Sequence, residues 1–119
     1  MTIAFIGFGE AGGILAADLA REHTVTMWDC KLNGPAREAM GKKARDSRVQ
    51  VGSSLAQALE SATLVFSTVT AGEALKVAQQ AAALLQPGQY FLDLNSVAPE
   101  TKRQAAEHFQ PGAYIDVAV

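Results

Sequence analysis

The run "TLVFSTV", residues 63–69, constrains the fold of this chain more than any other stretch, because it is apolar on consecutive residues rather than on alternate ones. A strand with one wet face alternates polar and apolar side chains. A strand apolar on both faces is buried on both, which requires helices above and below a parallel sheet. Comparable runs place strands at Ile3–Ile6, Thr24–Trp28, Val49–Val51, Leu64–Val69, Tyr90–Leu94 and Tyr114–Val119. Helical spacing fills the gaps. Leu55, Ala58, Leu59 and Ala62 follow i, i+3, i+4, i+7, with Ser54 and Gln57 as a capping box. Ala74, Val77, Ala78, Ala81 and Leu85 mark a second helix, stopped by "QPGQ", and Pro99 opens another. Periodicity is weakest from Asn33 to Asp46, where Pro35 is the natural start of a short helix. Strands alternating with helices, joined by right-handed crossovers, predict an α/β fold: one doubly wound parallel sheet in three α/β/α layers.

The first strand runs into glycines and then a helix: "IAFIGFGEAGGILAADL", residues 3–19. The spacing Gly7-x-Gly9-x-x-Gly12 is weak evidence alone and gains weight from its place at a strand–helix joint. Gly7 permits a tight exit from the strand, Gly9 lets a diphosphate approach bare backbone, and Gly12 lets the helix pack on the strand. The N–H groups at the start of that helix have no intrahelical acceptor and carry the positive end of the helix dipole, so an anion suits them. Backbone from Gly7, Phe8, Gly9, Glu10 and Ala11, with Gly12, is therefore expected to cradle a dinucleotide diphosphate, with the Glu10 side chain turned to solvent. The plain alternative is a set of turn glycines that bind nothing. Asp29 ends the second strand about 20 residues further on, where an acid accepts hydrogen bonds from ribose hydroxyls and repels a 2′-phosphate. That favours NAD over NADP, although Lys31 offers a nearby cation. Asp29 also suits a capping role.

Composition excludes other classes. The 119 residues suit one domain, and 49% hydrophobic with 18% charged residues is enough for a core. A net charge of −2 with no basic stripe argues against nucleic acid as a partner. The densest basic stretch, Lys42 to Arg48, looks like a solvated helix end. No apolar run approaches the roughly 18–20 residues that span a bilayer, and no signal-peptide pattern opens the chain. The lone Cys30 excludes an internal disulfide, fits a reducing, cytoplasmic setting, and reads as a packed thiol. Two isolated histidines, His23 and His108, lie at the wrong sheet edge for catalysis and lack partners at metal-ligand spacing, so no metal is expected.

With those residues in place the chain resembles the amino-terminal NAD(P)-binding, Rossmann-like domain of the β-hydroxyacid dehydrogenases, the family of 6-phosphogluconate and 3-hydroxyisobutyrate dehydrogenases. Besides the opening segment, "LVFSTVTAGEAL" is similar to the family's loop after the fourth strand, with Thr68-Val69 where Leu-Pro is common. "FLDLNSVAPETKR" is similar to its Asp-x-Ser-Thr-x-x-Pro segment, with Asp93 and Pro99 matching and Asn95-Ser96 in place of Ser-Thr. The resemblance implies an oxidoreductase that moves a hydride between nicotinamide and a small hydroxy acid, of the 6-phosphogluconate or 3-hydroxy acid type. It implies that Thr68 and Val69 line the dinucleotide, and that Ser96, with Asn95, lies by the nicotinamide, Ser96 also by the substrate carboxylate. It further implies a substrate loop from Asp116 onward and, beyond Val119, a helical domain with the catalytic lysine. Lys31, Lys76 and Lys102 do not match that lysine, and the last two read as solvated helix positions. The expectation is a cofactor domain cut from a longer chain, inactive alone, in a protein that forms a homo-oligomer. Apolar surface near Tyr114 to Val119 points to self-association of the fragment. A nucleotide-sensing regulatory domain and an S-adenosylmethionine-dependent methyltransferase are the rival readings.

Overall fold

In the computed structural model, which describes residues 1–117, the apolar runs form strands β1 (Thr2–Ile6), β2 (Thr24–Trp28), β3 (Gln50–Val51), β4 (Leu64–Ser67), β5 (Tyr90–Asp93) and β6 (Tyr114–Asp116). Between them lie helices α1 (Glu10–Leu19), α2 (Arg37–Asp46), α3 (Leu55–Leu59), α4 (Ala74–Leu84) and α5 (Pro99–Ala106), and a 3-10 turn at Cys30–Asn33. The sheet order is β3-β2-β1-β4-β5-β6, with every neighbouring pair parallel. This is the doubly wound arrangement that the sequence predicts.

Burial of β1 on both faces is what divides the core in two. Ile3 and Phe5 pack with Val25 and Met27 of β2 beneath Ala16 of α1 and Ala44 of α2. Ala4 and Ile6 point the other way, into a cluster with Leu59, Val65, Ala78, Phe91 and Ala105 under α3, α4 and α5. The order in which strands are added reverses between β1 and β4, the switch point beyond whose carboxyl ends ligands of such sheets bind. Register levels that edge: Ile6 pairs with both Trp28 and Ser67, and Ser67 with Asp93. The residues that follow these strands therefore leave the sheet side by side.

Three strands are shorter than their apolar runs, and hydrogen bonding explains each. The Val69 N–H leaves the ladder for Asn95 Oδ1, 2.7 Å away, so β4 stops at Ser67. Asn95 turns its own N–H back to Asp93 Oδ1 at 3.0 Å, ending β5. Val49 donates to Ala44 O at 2.8 Å and Arg48 to Arg45 O at 3.1 Å, with Arg48 at φ 62, which closes α2 in a Schellman motif and postpones β3 to Gln50. The last expected strand, Tyr114–Val119, is formed at Tyr114–Asp116; Ala118 and Val119 lie outside the described residues. The helix expected from Pro35 begins at Arg37 and runs ten residues, with Pro35 in the turn before it.

Candidate dinucleotide site

Gly7 takes φ +95 as the chain leaves β1, and a Cβ there would stand 2.2 Å from Thr68 O. No other residue type fits. A Cβ on Gly12 would meet Thr68 Oγ1 at 2.4 Å and Gly7 O at 2.6 Å, so the first turn of α1 rests directly on the strand exit. Thr68 Oγ1 donates to Gly7 O at 3.0 Å and pins the two loops together. Gly9 is different: a Cβ there would meet nothing within 4 Å. Its missing side chain leaves open space on the solvent side of the helix tip.

Each N–H on this turn has a definite fate. Gly7 donates to Trp28 O at 2.8 Å, and Phe8 donates to Asp29 Oδ2 at 2.8 Å. Of the backbone expected to cradle a diphosphate, the N–H groups of these two residues are already used inside the protein. Phe8 instead anchors the loop with a ring that is 1% exposed. The N–H groups of Gly9, Glu10, Ala11 and Gly12 have no acceptor among the described residues. All four sit at the positive end of α1 beside the open space at Gly9, with Glu10 and Ala11 exposed.

Asp29 caps the 3-10 turn, accepting from Lys31 N at 2.9 Å through Oδ1 while Oδ2 holds Phe8. The capping role and the edge position coincide. Each carboxylate oxygen keeps a lone pair for another donor, and the residue is half-buried. Cys30 is exposed, correcting the expectation of a packed thiol.

The loops after β4 and β5 are joined by a buried network. Asn95, 6% exposed, donates from Nδ2 to Ser67 Oγ and to Asp93 Oδ1, both at 2.9 Å, and accepts from Val69 N. Its carboxamide is thus turned into the protein, and it sets the course of the Thr68–Val69 loop from behind. Ser96, the next residue, is exposed at the same edge. Asp93 is 1% exposed and accepts from Tyr114 Oη at 2.7 Å through Oδ2. Burial, reinforced by the Asp93 hydrogen bond, holds the Tyr114 phenol above its ordinary pKa range.

Lys102 contradicts its reading as solvated, whereas Lys43 is exposed as expected and yet makes a contact that the sequence does not foresee. Lys102 reaches Asp93 O at 3.3 Å and pairs with Asp116, with only 11% of its side chain exposed. Lys43 reaches from α2 to the glycine turn, 3.2 Å from Gly9 O and 3.4 Å from Phe8 O. Periodicity cannot foresee such contacts, because a long lysine stem carries its charge far from its own helix position. Lys31 and Lys76 are exposed. His23 precedes β2 and His108 follows α5, each at the sheet's opposite edge.

Residues 2–117 match the family described as the NAD-binding domain of 6-phosphogluconate dehydrogenase. A conserved hypothetical protein from Sinorhizobium meliloti is 35% identical, with a TM-score of 0.88 over 99% of this chain and 40% of its own. A conserved protein of unknown function, described as structurally similar to 3-hydroxyacid dehydrogenases, is 31% identical, with a TM-score of 0.82 over 100% of this chain and 43% of its own. Mycobacterium tuberculosis 3-hydroxyisobutyrate dehydrogenase, at 24% identity, shares the fold with a TM-score of 0.80 over 98% of this chain and 39% of its own. The chain thus spans about two fifths of the length of these structures. No curated protein matches it by sequence. Among the described residues no helix is long and apolar enough to cross a membrane.

Proposed function

This chain belongs to the family of the NAD-binding domain of 6-phosphogluconate dehydrogenase, and from that premise we propose that it forms the cofactor half of an oxidoreductase active on a small hydroxy acid. One observation carries the assignment of the site: four N–H groups without protein acceptors, Gly9 to Gly12, surround open space at a helix tip. A diphosphate supplies the missing acceptors and the negative charge. Asp29 holds the adenosine ribose and disfavours a 2′-phosphate, so NAD is preferred to NADP. Thr68 and Val69 line the middle of the dinucleotide, placed by Asn95. Ser96 faces the nicotinamide and the substrate carboxylate with a free hydroxyl.

The bound nicotinamide supplies the hydride chemistry. The chain's own work is to seat the diphosphate, orient the ring toward Ser96 and fix the loops. Lys102 is committed to Asp116 and Asp93, and Lys43 to the glycine turn, so neither is offered as the general acid/base. On this view the residues form the cofactor domain of a longer chain, bind without turnover, and depend on a lysine supplied from elsewhere. Coverage of only two fifths of the solved relatives supports that view. Tyr90 and Ile115, 42% and 40% exposed, favour self-association of the isolated domain; light scattering that shows a strict monomer would contradict it.

Calorimetry with NAD, NADP and S-adenosylmethionine tests the assignment. Binding of NAD ahead of NADP, with no response to the sulfonium compound, is expected. Binding of S-adenosylmethionine alone overturns it.

A further inference from the structure

We propose that Lys43 is an affinity-determining cation of the diphosphate seat, an inference that rests on the assignment of Gly9–Gly12 to that seat. Its ammonium lies 3.2 Å from Gly9 O and 3.4 Å from Phe8 O, and 4.9 Å from the centre of the Phe8 ring. No carboxylate among the described residues lies within ion-pair distance of it. Its neighbour Lys42, equally exposed, instead pairs with Asp46 at 2.7 Å on the same helix.

Lys43 is solvent-exposed, and the place where it ends suits an anion better than a cation. It stands beside the first turn of α1, where the helix dipole is already positive and a cation is the wrong charge. Four N–H groups there lack acceptors, and the first turn holds one carboxylate, the exposed Glu10. Two carbonyls and an aromatic face hold the ammonium against that field. A doubly anionic diphosphate balances the whole arrangement, with Lys43 offsetting Glu10 as well.

Gly13 is a second observation that fits this placement of the side chain. It lies outside the Gly7-x-Gly9-x-x-Gly12 spacing and inside the helix, where glycine costs about 1 kcal/mol relative to alanine. A Cβ at Gly13 would stand 2.6 Å from Lys43 Nζ and 2.8 Å from its Cε, and would meet nothing else within 4 Å outside the adjoining helix backbone. The glycine leaves room for the lysine in this position, and a methyl group there would push the flexible end of the lysine aside.

Titration of the 119-residue chain with NAD, followed by calorimetry in about 20 mM and about 0.5 M KCl, tests the role. Lys43→Met is expected to weaken binding about three- to tenfold at low salt, with the gap closing at high salt. Lys43→Arg recovers most of the affinity. Lys42→Met, which removes the same charge from the same helix, stays within about twofold of the unsubstituted chain. Gly13→Ala keeps the charge but displaces it, so it weakens NAD binding while raising the melting temperature, a divergence that a merely structural lysine does not produce. Lys43→Met binding like the unsubstituted chain overturns the proposal alone. So does a loss that persists at high salt and is not recovered by arginine. An unsubstituted chain that binds no NAD overturns the seat itself, and the role of Lys43 with it.

Discussion

Gly9→Ala separates what the protein needs for folding from what the seat needs for its ligand. Gly9 has φ −75 and ψ −158, open to any residue, and an added Cβ meets nothing within 4 Å. Replacing an N-cap glycine by alanine costs a few tenths to about 1 kcal/mol, and the reduced freedom of the unfolded chain returns about 0.4–1 kcal/mol. Net stability is therefore expected to change by less than about 0.5 kcal/mol. The methyl group projects into the space that a diphosphate would fill and keeps a phosphate oxygen from the N–H groups. Loss of one hydrogen bond to a charged group, about 1.5–3 kcal/mol, is a roughly 10- to 100-fold weaker NAD complex. Gly7→Ala is the contrast, because its Cβ collides with Thr68 O at 2.2 Å and the site needs φ +95. That variant loses about 2 kcal/mol or more of stability. Urea unfolding and NAD calorimetry on both variants read the two quantities separately. Gly9→Ala binding NAD with unchanged affinity refutes the seat.

Asn95→Ala leaves Val69 N, Ser67 Oγ and one oxygen of buried Asp93 short of partners, and is expected to cost about 2–4 kcal/mol in urea unfolding; a cost below about 1 kcal/mol contradicts the network's role. Asp29→Asn removes the charge that repels a 2′-phosphate and is expected to shift the NAD-to-NADP affinity ratio about tenfold toward NADP, measured by parallel titrations; an unchanged ratio contradicts the ribose assignment. Tyr114→Phe removes the 2.7 Å hydrogen bond to Asp93 and is expected to cost about 1–3 kcal/mol near neutral pH. Because the folded-state pKa of Tyr114 is raised, its contribution is complete below the unfolded value of about 10 and is lost as pH rises from there toward the folded value. The unsubstituted chain should therefore lose stability above about pH 10 more steeply than Tyr114→Phe, and parallel slopes in pH-dependent unfolding contradict that.

The fold was legible wherever burial governs the pattern. Strand Thr24–Trp28 and the opening of α5 at Pro99 stand where the sequence places them, since their signals are local. Strand ends were overrun where a distant side chain competes for a ladder N–H, as Asn95 does for Val69 across 26 residues. The glycine turn was legible as a turn, but not the division of its donors. That Phe8 gives its N–H to Asp29, 21 residues away, follows from strand register rather than from either residue's neighbours. Charge on a helix reads as solvent exposure, which holds for Lys43 and fails for Lys102, and in both the sequence hides the contact because a lysine stem spans several ångströms and delivers its charge elsewhere. Only Gly13, a glycine with no place in the turn motif, carried a trace of the first contact.

Amide-resolved NMR during an NAD titration tests the central claim most directly, because it reports on the four unpaired N–H groups themselves. The largest shifts are expected at Gly9, Glu10, Ala11 and Gly12, with Gly7 and Phe8 held by Trp28 and Asp29 and moving less. A folded spectrum in which those four resonances stay fixed at millimolar NAD contradicts the diphosphate seat.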